Sequence, residues 1–206
     1  MQRMLYLGAI ALFMVSSASA AIFGFNRITS NSDTDVADQF FIDVNDTGTG
    51  AARVVISNAG SLPSSIAEIY FGSSSDSHAV AINSVTSLDD GVDFRIGAVQ
   101  PSSPPGINKN AWVTLAAAQA LAPSSQNGVN PSESLIMDLS YDGGVSFAQL
   151  LSDGQLQVAL HVISIAGGNS DTFVNNASVT VVPEPASMIL IGSSGVFIAF
   201  ARRRFS

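Results

Sequence analysis

Residues 21–182 predict an all-β domain, an antiparallel β-sandwich of jelly-roll-like form. Three observations carry that prediction. Short runs of β-branched and aromatic residues recur at close spacing, clusters of Gly, Asp, Asn and Pro separate them, and no helical segment follows each run as a βαβ architecture requires.

Taken in order, the runs fall at residues 39–44, 53–58, 67–71, 79–85, 92–99, 135–140, 156–165 and 172–182. Their ends carry turn chemistry: Asp46-Thr47-Gly48, Asn58-Ala59-Gly60, Asp90-Gly91, Asp142-Gly143-Gly144, Asp153-Gly154 and Gly167-Gly168-Asn169. In the run 156–165, Leu156, Val158, Leu160 and Val162 alternate with Gln157, Ala159, His161 and Ile163, so one face is built for a core. Helical expectation is confined to the alanine-rich residues 112–121, ended by Pro123, and to a turn or two at residues 147–151; both read as connections. Pro101-Ser102-Ser103-Pro104-Pro105-Gly106 cannot join a ladder and divides an early β block from a later one.

Both ends of the chain depart from this pattern, and each predicts a helix of its own. Residues 1–20 have a basic start at Arg3, an apolar run over residues 5–15 and the small residues Ala18-Ser19-Ala20, the three-part pattern of a secretory signal cut by signal peptidase after Ala20. The run is shorter than the roughly 20 residues a membrane span needs. At the back, Pro183-Glu184-Pro185 breaks the chain, residues 186–201 are apolar, and Arg202, Arg203 and Arg204 follow. Sixteen residues at about 1.5 Å each reach about 24 Å, short of the roughly 30 Å hydrocarbon core, so this transmembrane helix is a marginal span that arginine snorkelling must complete. Arginines inside and a signal peptide at the front give one topology, with residues 21–185 outside.

Val182-Pro183-Glu184-Pro185-Ala186-Ser187, a short apolar helix and an arginine cluster together resemble the PEP-CTERM sorting domain. That resemblance covers residues 183–206 and implies export by a Gram-negative, biofilm-forming bacterium. It also implies recognition by an exosortase, a membrane-embedded cysteine protease or transpeptidase acting near Pro183-Glu184-Pro185. Paired prolines exclude helix and sheet pairing and keep such a segment extended for a protease. The stretches 39–44, 64–71 and 127–135 are similar to a recurring ectodomain of such proteins, a resemblance that names no ligand.

Composition narrows the chemistry. Thirteen Asp and two Glu against three Arg and one Lys give residues 21–182 a net charge of −11, which repels phosphate backbones, so nucleic acid is not an expected partner. Absence of cysteine excludes disulfides, thiolate metal sites and a cysteine nucleophile. Gly48-Thr49-Gly50 lacks the third glycine and the following helix of a dinucleotide loop and reads as a hairpin turn. The two histidines, His78 and His161, are accompanied by no Gly-x-Ser-x-Gly or His-Glu-x-x-His motif. Asp33, Asp35 and Asp38 are the candidates for a calcium site. The EF-hand pattern, however, needs glycine and glutamate where Asp38 and Val44 stand, and a solvated acidic face is the preferred reading.

No cofactor and no enzymatic activity are expected. The expected function is that of an exported surface or extracellular component, structural and non-catalytic, in an exopolysaccharide or biofilm layer. Its processing partners would be signal peptidase and exosortase, with membrane contact through residues 186–201 before processing. The alternative is a carbohydrate-binding module using Trp112, Tyr70 and Tyr141 as aromatic platforms, with exopolysaccharide as partner; an enzyme of unrecognised type comes third.

Overall fold

A computed structural model describes residues 20–74, 78–97 and 102–182 of the chain, with backbone alone from Ala177. Ala18, Pro183, Glu184, Pro185, Arg202, Arg203 and Arg204, with the rest of the expected signal and sorting segments, lie outside the described residues. Among the described residues no helix is long and apolar enough to cross a membrane.

Ten strands alternate with short connections: β1 Ala20–Arg27, β2 Phe40–Gly48, β3 Ala51–Asn58, β4 Ser65–Ser73, β5 Val80–Ser87, β6 Phe94–Ile96, β7 Val113–Ala120, β8 Glu133–Tyr141, β9 Gln157–Ile165 and β10 Asn169–Val182. Among the described residues two short α-helices, α1 Ser124–Asn127 and α2 Phe147–Ser152, and two 3-10 turns at Ala37–Gln39 and Lys109–Ala111 complete the domain. The all-β antiparallel class holds. The two stacked sheets of a sandwich are replaced by one continuous sheet in the order β5-β8-β3-β2-β1-β10-β9-β4-β7-β6, curled until β5 faces β6 and β7 and the barrel nearly closes. Bulges supply the curl. Register shifts between Phe23 and Phe25, Asp46 and Gly48, Ile66 and Glu68, Phe71 and Gly72, and Ile82 and Ser84 each bend a strand and add twist.

Alternation fills the interior. Phe40, Ile42 and Val44 of β2, Val54 and Ile56 of β3, and Leu135 and Met137 of β8 are wholly buried. Their neighbours Asp43, Asn45 and Arg53 face out. Phe40 meets Phe173 edge to face at 5.0 Å between ring centres. One end of the barrel is stoppered by α2, which buries Phe147, Leu150 and Leu151. Its first N–H groups are held from two sides: Asp46 Oδ1 accepts from Phe147 N at 2.7 Å, and Ser146 Oγ accepts from Gln149 N at 3.1 Å.

Two elements correct the sequence reading. Residues 112–121, expected to be helical, form β7. Ala116, Ala117 and Ala118 stand opposite Phe71, Tyr70 and Ile69, where small side chains let a strand pack beside large ones, and that packing overrides alanine's helical propensity. Of the strand expected over residues 92–99, the described residues are laddered over Phe94–Ile96, and residues 98 and 99 lie outside them. By contrast α2 lies at the expected turn around residue 147, and the glycine pair at 48 and 50 closes the β2–β3 hairpin, with Gly50 at φ +72°.

Candidate functional site

One polar row crosses the outer face of the barrel over five strands. Cross-strand register sets Arg95 of β6 beside Gln119 of β7, Gln119 beside Glu68 of β4, Glu68 beside His161 of β9, and His161 beside Thr172 of β10. A bulge places Glu68 there. Ile66 points into the core, and strict alternation would send Glu68 in after it; the register shift between them turns Glu68 outward instead.

Glu68 Oε2 is the hub: it accepts from the Tyr70 hydroxyl at 2.6 Å and lies 3.0 Å from His161 Nδ1. The His161 and Glu68 side chains are only 19% and 15% exposed, so the contact is half shielded from water. Burial, with the Glu68 hydrogen bond and charge added, pushes the Tyr70 phenol well above its ordinary range. At the other end of the row, Gln119 presents its amide oxygen to the Arg95 Nε and Nη2 donors. Between these groups opens a cleft of about 230 Å³, lined by Glu68, Arg95, Gln119 and Ser124 against Ala67, Ala120, Leu121 and Ala122. Thr172, the hydroxyl in register with His161, is fully buried, and its Oγ1 makes no hydrogen bond among the described residues. Among the described residues the Thr172 hydroxyl is therefore not joined to the His161–Glu68 pair.

A second polar cluster is structural. Asp171 is 1% exposed, and its carboxylate accepts from Thr29 Oγ1 at 2.8 Å, Asn31 N at 2.7 Å and Ser32 N at 3.1 Å, while Arg27 Nη2 stands 3.1 Å away. It pins the β1–β2 connection to β10. A second opening, about 490 Å³, follows the seam between β5 and β7 and is lined by Val80, Ile82, Leu115 and Ala116 among others.

The sequence-stressed residues scatter. Asp33, Asp35 and Asp38 are exposed and do not converge, and Asp35 Oδ1 instead accepts from Ala37 N at 3.0 Å. Among the described residues no three His, Asp or Glu side chains form a metal-holding group. Trp112, Tyr70 and Tyr141, the expected sugar platforms, are 4%, 0% and 8% exposed, so their rings are not on offer. Trp112 and Tyr70 pack with Ala117, Ala159 and Val174 into a small outer core, and Tyr141 bonds Asp46 beside α2. His78 lies 3.6 Å from Asp142, away from the row. Ala20 is the first residue of β1 and pairs with Val182, the last of β10. Glu68, Arg95 and Gln119 were not singled out in the sequence, although the outward placement of His161 opposite Leu160 was legible there.

Comparison with curated proteins and with solved structures returned no match. Residues 181–204 match the family model of the PEP-CTERM protein-sorting motif, so the chain carries that sorting signal at its C-terminal end and with it the mark of an exported protein processed by an exosortase.

Proposed function

We propose that the processed domain is a non-catalytic structural component of the cell surface or of an exopolysaccharide and biofilm matrix. The observation that carries this reading is the filled barrel: Phe23, Phe40, Phe71, Phe147, Phe173 and Met137 occupy its interior at no more than 1% exposure, and α2 stoppers one end. A barrel packed in this way serves as a rigid, soluble body rather than as a container for a ligand. The net charge of −11 over residues 21–182 keeps neighbouring copies apart in a hydrated layer.

Fractionating the producing cell tests the assignment, with both termini of the recovered protein mapped by mass spectrometry and the processed protein screened against glycans and esters. Recovery from the surface or matrix fraction, trimmed at both ends and inert in the screen, supports it. An untrimmed chain in the cytosol, or turnover of any substrate in the screen, removes it.

A further inference from the structure

We infer that the cleft between Arg95, Gln119 and Glu68 binds one hydroxylated carboxylate of single-sugar size, a hexuronate-type unit. The inference starts from how the three arginines of the described residues are partnered. Arg27 faces Asp171 at 3.1 Å and Arg53 faces Asp138 at 2.8 Å. Arg95, in an equally acidic domain, has the neutral Gln119 amide as its partner and no carboxylate within ion-pair distance among the described residues. With Nε and one Nη2 hydrogen given to the Gln119 oxygen, the guanidinium keeps its Nη1–Nη2 edge for an anion from outside, and that two-donor edge fits a carboxylate.

The rest of the cleft sets the remainder of the ligand. Glu68 spends Oε2 on Tyr70 and His161, and no bond to its Oε1 is made among the described residues, which leaves an acceptor for a hydroxyl group. That same carboxylate repels a second negative charge, so a monoanion is favoured over phosphate. Ser124 also lines the cleft, and Ala120, Leu121 and Ala122 add apolar lining for C–H groups. At about 230 Å³ the cleft lies below the roughly 300 Å³ at which sites for drug-sized ligands begin, which limits the occupant to about one ring. The site stands on its own residues and does not depend on where the chain finally resides.

Isothermal titration of the full chain in detergent micelles with glucuronate, glucose, lactate and inorganic phosphate tests this. Amide chemical-shift mapping in the same samples reports where each ligand sits. Glucuronate is expected to bind, with shifts at Glu68, Gln119 and Ser124, and glucose and lactate to bind at least about tenfold more weakly. Arg95→Ala should weaken glucuronate by roughly tenfold to a hundredfold, the range for losing a charge-assisted hydrogen-bond pair, at unchanged melting temperature. Arg95→Lys, which keeps the charge and a strand-compatible stem, should lose most of the same affinity because the fork is gone. No binding of glucuronate, equal binding of glucose or lactate, tighter binding of phosphate, or indifference to both Arg95 variants would each overturn the assignment.

Discussion

Replacing Asp171 by alanine should be the most destructive single change outside the hydrophobic core. The carboxylate is 0% exposed, and its ion-pair partner Arg27 has a side chain only 14% exposed. Three donors from Thr29, Asn31 and Ser32 converge on the two oxygens. Breaking a buried pair by removing one member leaves the other charge without compensation and costs about 3–5 kcal/mol. Valuing the hydrogen bonds to a charged acceptor separately, at about 1.5–3 kcal/mol each, gives a larger total. The lower range is the better one, because the donors share one short connection and release together. For a domain of this length, about 2–4 °C of melting temperature is lost per kcal/mol, so the expected drop is about 6–20 °C. Calorimetric unfolding of the full chain in detergent measures it. Asp171→Asn, which keeps the volume and one acceptor oxygen but leaves Arg27 unpaired, should fall between wild type and alanine. A melting temperature for Asp171→Ala within about 3 °C of wild type, equivalent to about 1 kcal/mol, would refute the idea that this carboxylate holds the β1–β2 connection on β10.

Three further outcomes follow from the same geometry. Arg53→Ala should leave the midpoint of denaturant unfolding essentially unchanged, because the Arg53 and Asp138 side chains are 52% and 37% exposed and water screens their attraction. Gly72→Ala should cost about 1–3 kcal/mol and shift the Trp112 fluorescence, since a Cβ there would stand 2.4 Å from the indole ring and 2.7 Å from the Val113 carbonyl oxygen. Burial, and then the hydrogen bond to Asp46, pushes the Tyr141 phenol from 10.0 up to about 12. A raised acid favours the neutral folded form, so its stabilising contribution is complete below pH 10 and is lost as pH rises from 10 through 12. Ultraviolet titration should find this late-ionising phenol, and Asp46→Asn should lower its midpoint.

The class of the fold was legible because period-2 alternation survives in most strands. Phe40, Ile42 and Val44, or Leu156, Val158 and Leu160, declare a buried face without knowledge of their neighbours. The alternation of Ala21, Phe23 and Phe25 is equally good evidence for β1, but it adjoins a signal-like apolar run that masks it. Sheet closure was not legible, because a sandwich and a barrel are built from the same strands. What separates them is the pairing of β1 with β10 across almost the whole chain and a series of bulges whose positions follow from packing. β7 is not legible locally because alanine states no preference for a strand until Tyr70 and Phe71 are placed opposite it.

The candidate site was hidden for a related reason. Arg95, Gln119, Glu68 and His161 come from four strands, and no local spacing links them. Even a correct strand assignment would have buried Glu68, since Ile66 and Glu68 share parity and only the register shift between them separates their faces. The sorting motif lies at the opposite extreme: its prolines and arginines stand consecutively in the chain and are read by a processing enzyme as sequence. Local motifs therefore disclosed where the chain goes, whereas any ligand it meets there depends on register, which a bulge of one residue decides. Deleting Ala67 would remove the extra residue of the bulge and make Ile66 and Glu68 neighbours on opposite faces, so Glu68 should stay on the outer row beside Gln119 and His161 while β4 loses its local bend, which amide chemical-shift mapping of the row would check.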